Sequence, residues 1–222
     1  MIKEGIQLHV FQRYVLFLLG IVSMGLGIAL TTRSDLGTTP ISSVPYVLSL
    51  ALPLSLGTFT FLTLLLFVFL QKLILKKDFP FIQYAQLMIA PLLGMSVDLG
   101  MYLTSFLEPT FYLEKIGIVV IGSFFVALGV TLQIEAKTVM NAGEAIVHVL
   151  ANRLRKPFSS VKIYFDWMLV LTGLLLSLAL LGGFYGIREG TLIAAFLVGL
   201  FVKWIHFFRT MIHRHFFLKG SE

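Results

Sequence analysis

The chain has 222 residues, 58% of them hydrophobic and only 13% charged, where soluble domains carry about 25% charged residues. With a mean hydropathy of +0.94, it is a sequence built for lipid, and its formal charge of +6 is scattered among apolar segments instead of gathered on a polar face, which excludes a nucleic-acid partner. The absence of cysteine excludes disulfides, thiolate metal sites and thiol nucleophiles.

Residues 1–13 form a short, weakly amphipathic lead-in, and no small-residue cleavage pattern separates the first apolar run from the next, so that run reads as a retained anchor. Crossing a hydrocarbon core of roughly 30 Å takes about 20 helical residues. The first stretch of that length is 14–32. It is followed by 40–52, whose 13 residues reach only about 20 Å at 1.5 Å per residue and are too few to span. Spans follow at 57–75, 81–103 and 116–134; then comes a second short run, 142–154, and finally spans at 161–181 and 191–208. A basic tail, 210–222, carries His213 and His215, which with His206 read as a patch for the anionic inner leaflet. The expected fold class is an all-α membrane protein with six transmembrane helices in one membrane domain, 1–222.

The chain also matches itself at a shift of 102 positions. Gly27 falls on Gly129 (129 − 27 = 102), and Thr39, Leu48 and Gly57 fall on Asn141, Leu150 and Ser159. This divides the domain into units of about 11–105 and 114–209, each with three spans and one short helix. Because three is odd, the second unit enters the membrane from the opposite side, which makes a 3+3 inverted repeat. Fourteen basic residues, among them Lys72, Lys76, Lys77, Arg153 and Arg155, then fall on one side, and only Arg33, Lys115 and Arg188 on the other. That bias places both termini in the cytoplasm.

The polar residues in or beside the spans carry the candidate chemistry, because charge in hydrocarbon is costly unless paired or hydrated. Arg33 and Asp35 lie between the first span and the first short helix, near Thr38 and Thr39; the stretch reads either as an exposed loop or as an anion site at a helix N-terminus. Thr39 before Pro40, and Asn141 with Glu144 three residues on, read as N-caps of the two short helices. Asp98 reads either as a group facing headgroups or a cap, or as a cavity residue that binds a cation, a proton or a substrate amine. Glu144 shares a helix face with His148 and reads as a capping or proton-carrying group with His148 as partner; two ligands alone make no metal site. Asp166 stands i, i+4 from Lys162 and reads as its neutralising partner, with an ion relay as the alternative. The candidate substrate set is therefore Arg33, Asp35, Thr38, Thr39, Asp98, Asn141 and Glu144, and the candidate coupling set Asp98, Glu144 and Asp166. No cofactor is implied.

The run 25–40, with Gly25, Gly27, Gly37 and Pro40, the entry Ser55-Leu-Gly-Thr58 and the stretch Gly94-Met-Ser-Val-Asp-Leu-Gly-Met101 resemble the YczE branch of the YczE/YyaS/YitT family. This resemblance covers nearly the whole chain and is to the branch without the soluble C-terminal domain that YitT relatives add. It implies a multi-pass protein of the bacterial cytoplasmic membrane and names no cargo. The residues point to a small-solute transporter working by alternating access, with an organic anion or amino-acid-like metabolite as cargo. The alternatives are a substrate-binding membrane subunit of an energy-coupling-factor-like importer, or a non-transporting accessory protein. Its partners are the bilayer and a small solute, with a homo-oligomer or a partner subunit left open. An enzyme is not expected, since no nucleophile with a base and no catalytic carboxylate pair occurs.

Overall fold

The computed structural model describes residues 9–217; of 209, 210 and 212–217 only the backbone is described, so the side chains of His213 and His215 lie outside the described residues. All regular structure among the described residues is helical: α1 (Val10–Arg33), the short α2 (Pro40–Ala51), α3 (Leu56–Leu75), α4 (Gln86–Leu103), α5 (Tyr112–Ala136), the short α6 (Ala142–Leu154), α7 (Phe158–Leu181) and α8 (Glu189–Phe217). Six of them are long and apolar enough to cross a membrane, so this is a multi-pass membrane protein. The six long helices occupy the expected spans, and both short helices fall where a span was too long to fit.

The helix ends differ from expectation in an instructive way. α1 and α5 each begin four residues earlier than the apolar runs 14–32 and 116–134, because a helix is continued by backbone hydrogen bonds and does not stop where hydropathy does. The expected span 81–103 opens as a 3-10 segment, Phe81–Ala85, before α4 proper.

α1 is the centre of the molecule and α8 its periphery: 56% of the apolar window of α1 is buried against 11% for α8. α1 packs most extensively on α5 and next on α4, while α5 also carries α8. α2 lies against α3 and α7, and α6 against the same two helices. α3 and α4 pack along their length, but α7 and α8 scarcely touch.

Glycine sets the α1–α5 crossing. A Cβ on Gly20 would lie 2.9 Å from the Gly129 carbonyl oxygen, and one on Gly27 would lie 2.6 Å from that of Gly122. Contacts whose numbers rise on one helix as they fall on the other make α1 and α5 antiparallel. Between the two glycine contacts the Ser23 hydroxyl donates to the Phe125 carbonyl at 2.8 Å. Lipid offers no hydrophobic drive for helices to associate, so backbone approach of this kind supplies dispersion contact instead.

Candidate functional site

The two short helices bring their first turns together. A Cβ on Gly143 would collide with the side chain of Ile41, so the starts of α2 and α6 touch inside the helix bundle. Asn141 caps α6 as expected, its Oδ1 accepting from the Gly143 N–H at 3.2 Å, while its amide reaches Met24 Sδ at 3.8 Å. Thr39 does not cap by its side chain: its hydroxyl donates to Ser42 Oγ at 3.0 Å. The reason is local, since Pro40 opens α2 as a 3-10 turn and the hydroxyl finds Ser42 three residues on. Next to this junction is a cavity of about 10 Å³ bordered by Met24, Ile41, Ser42, Thr60, Thr63 and Leu64 among others, room for about one water.

The α6 start is further held by a pair of buried amides. Gln71 donates to Gln86 Oε1 at 3.0 Å and to the Ala142 carbonyl at 3.3 Å, and both glutamines are essentially inaccessible. On the other side Gly173 of α7 presses on Ser43 of α2.

One end of the bundle carries a dense set of buried hydroxyls: Thr31, Thr32, Ser34, Thr38, Thr39, Ser42 and Ser43. Thr32 and Thr38 join hydroxyl to hydroxyl at 2.9 Å. The loop between α1 and α2 docks on the start of α8, where the Thr38 N–H donates to Thr191 Oγ1 at 3.2 Å and the Gly190 N–H to the Leu36 carbonyl at 2.8 Å. Gly37 makes this docking possible: its φ of +113° is strained for any side chain, and a Cβ there would strike the Thr191 hydroxyl. Arg33 spends one nitrogen, Nη2, on the Met101 carbonyl at 2.9 Å, while its buried Nε has no hydrogen-bond partner among the described residues. A buried donor left unmatched costs about 1–3 kcal/mol, which makes Arg33 the member of this set with unspent binding capacity. Asp35 points outward, 69% exposed, and pairs with Lys115 at 2.7 Å.

Asp98 stands apart from the α2–α6 junction and from the buried hydroxyls. Its Oδ2 accepts from the Ser55 hydroxyl at 2.6 Å and its Oδ1 from the Gly57 N–H at 2.7 Å, so the carboxylate of α4 closes the N-terminus of α3. Glu144, Lys162 and Asp166 do come together: Lys162 Nζ lies 2.9 Å from Asp166 Oδ1 and 3.5 Å from Glu144 Oε1. The expected Glu144–His148 partnership is corrected here, because His148 stacks instead on Phe158 with ring centroids 4.2 Å apart, leaving Lys162 as the partner of Glu144. Among the described residues no three metal-ligating side chains converge.

Two functional-looking contacts were missed from sequence. Arg13 Nε donates to the Ala136 carbonyl at 2.8 Å and its Nη2 to that of Lys137, closing the C-terminus of α5. Its counterpart at the 102 shift is Lys115, which pairs with Asp35 just past the C-terminus of α1, so that shift was the signal that could have found it. The Gln71–Gln86 pair could have been found as two amides in otherwise apolar runs.

A model described as a family of unknown function, DUF6198, matches residues 11–207. The chain belongs to the DUF6198 family. Over 215 residues, 95% of this chain and 99% of the relative, it is 26% identical to the "Uncharacterized protein YyaS" of Bacillus subtilis (strain 168). No solved structure matches. The DUF6198 match begins in α1 and ends in α8, so every residue of the junction, the hydroxyl cluster and the ionic trio lies within the shared part.

Proposed function

We propose that this DUF6198 protein is a small-solute transporter of the bacterial cytoplasmic membrane, built as an inverted repeat with both termini in the cytoplasm, in the YczE branch of the YczE/YyaS/YitT family. The carrying observation is the meeting of the α2 and α6 starts through Ile41 and Gly143, positions that are themselves related by the shift of 102. Half-spanning helices whose tips meet within the bundle are the usual place for a transport site.

Other contacts agree with a twofold exchange of the units. Adding 102 to one member and subtracting it from the other turns Gly20–Gly129 into Gly122–Gly27, Lys115–Asp35 into Arg13–Lys137, and the α2–α7 packing into α6–α3. Ser23 and Phe125, bonded to each other, are equivalents at the shift of 102, which supports an axis passing between them. The units also differ. Gly94 of α4 is clasped by Gly57 of α3, whereas Gly199 of α8, which falls on Gly94 at a shift of 105 (199 − 94 = 105), has no described atom within 4 Å. Alternating access needs such asymmetry, since exchanging the two conformations between units carries the molecule to its other state.

The solute enters beside Arg33 and the hydroxyls of Thr38 and Thr39, which suits a carboxylate or another small organic anion, including amino-acid-like metabolites. The test is a thermal-shift screen of such metabolites on the purified protein, followed by flux of the stabilising compound into vesicles. A ligand at 100 times its Kd adds about 2.7 kcal/mol. Flux of that ligand, lowered at least about tenfold by Arg33→Ala in protein that remains folded, is the expected result; tenfold corresponds to about 1.4 kcal/mol. Binding without flux would contradict it and point to the substrate-capturing subunit of a multi-component importer.

A further inference from the structure

α3 and the entry to α4 leave an open groove of about 500 Å³ on the surface of the bundle. Leu62, Leu65, Phe69 and Leu87 are among the residues that line it, and all four are exposed. Lys72 stands at one end, with Tyr84 of the 3-10 segment beside it. The lining runs along α3 from Leu62 to Lys72, ten residues (72 − 62 = 10), which is about 15 Å at 1.5 Å per residue. A hydrocarbon core is roughly 30 Å thick, so the groove is as long as one leaflet is deep.

The Lys72 end is the end nearest water. α3 stops at Leu75, and the exposed Lys76, Lys77 and Asp78 follow. Lys72 is itself exposed, and no carboxylate pairs with it among the described residues. Its ammonium lies over the Tyr84 ring, 5.4 Å from the centroid. That cation–π contact fixes where the charge sits and leaves its N–H donors open. Neither Lys76 nor Lys77 lines the groove.

We propose that this groove binds one anionic phospholipid, its acyl chain along α3 and its phosphate at Lys72. Lipid tails are as apolar as leucine, so a chain from any lipid can fill the groove and selection falls to the headgroup. There the Lys72 ammonium donates to a phosphate oxygen. Lys76, Lys77 and Asp78 together add one positive charge at the same end, which favours a net negative headgroup over a zwitterionic one that carries its own cation. The second unit supplies an internal comparison. At the shift of 102, Leu65 falls on Trp167, Lys72 on Leu174 and Tyr84 on Gly186, so the equivalent surface has no cation to read a headgroup.

Lipids brominated on their chains quench a tryptophan that they stand beside. The chain has two tryptophans, Trp167 and Trp204, both exposed. With each replaced by Phe, Leu65→Trp becomes the single reporter of the groove. In phosphatidylcholine bilayers containing either brominated phosphatidylglycerol or brominated phosphatidylcholine, that reporter is expected to favour the anionic lipid about fivefold, the worth of one lysine near an anionic surface. Lys72→Gln is expected to abolish the preference and Lys72→Arg to keep it. Lys203→Gln, which removes an exposed lysine of α8, is expected to leave it unchanged. Trp167, kept as the single tryptophan in a chain without Leu65→Trp, is expected to show no preference. Equal quenching by the two lipids at Leu65→Trp would overturn the proposal, and so would the same preference at Trp167. A loss under Lys203→Gln equal to that under Lys72→Gln would overturn it in favour of surface charge alone. Absence of quenching by either lipid would overturn it in favour of a second copy of the chain covering the groove. No solute enters the measurement, so its outcome is independent of the transporter reading.

Discussion

At the scale of single residues, Asp98 illustrates how a carboxylate of one apolar helix can cap another. Both of its oxygens are engaged by the first turn of α3, one by the Ser55 hydroxyl and one by the Gly57 N–H. Asp98→Ala would strip that cap and leave the N–H of Gly57 unmatched, a loss of about 0.5–2 kcal/mol by comparison with other helix caps. Thermal unfolding in detergent would register it, and Asp98→Ala with unchanged stability but lost flux would return Asp98 to the transport site. From sequence the two readings were indistinguishable, because a cap from one helix to another depends on which helices are neighbours. Asn141 was legible as a cap because its partner, Gly143, is two residues away. Thr39 was not, since a hydroxyl beside both Pro40 and Ser42 has a nearer partner than the helix N–H groups.

At the scale of elements, the helices were legible wherever length decides, and their contacts only where small residues mark them. Six apolar runs of spanning length became the six long helices, and two runs of 13 residues became the short ones. What periodicity could not reveal is that α2 and α6 each lie between α3 and α7, since an apolar face says that a helix is buried and not against which neighbours. The glycines of α1 and α5 were legible as places of close approach, though not as an antiparallel pair in register. The crossing makes a strong demand: Gly27→Leu has no space to occupy, as a Cβ there already lies 2.6 Å from the Gly122 carbonyl oxygen. Overpacking costs about 1–3 kcal/mol; unfolding in detergent is expected to show a loss of at least that size, and a variant as stable as the wild type would mean that α1 and α5 do not meet there.

At the scale of the whole molecule, the proposed transport cycle rests on two units of opposite orientation. The shift of 102 is visible in the amino-acid order alone, in Gly27 and Gly129, yet a shift cannot say which equivalent positions touch. The contacts Ile41–Gly143 and Ser23–Phe125, together with the matching pairs Arg13–Lys137 and Lys115–Asp35, supply that information, because only a fold brings such distant positions together. Of the differences between units, Ser42 against Glu144 is plain in the amino-acid order at the shift of 102, whereas Gly94 clasped and Gly199, 105 positions on, open could not be read there. They are where a repeat acquires a direction. Orientation itself can be read from the chain's lack of cysteine, which makes every introduced thiol unique. Asp35 and Lys137 are equivalent positions, both exposed. The decisive measurement of the inversion is labelling of Asp35→Cys and of Lys137→Cys with a membrane-impermeant maleimide, in right-side-out and inverted vesicles. Asp35→Cys is expected to react only from the outside and Lys137→Cys only from the cytoplasmic side; reaction of both from the same side would contradict the inverted repeat.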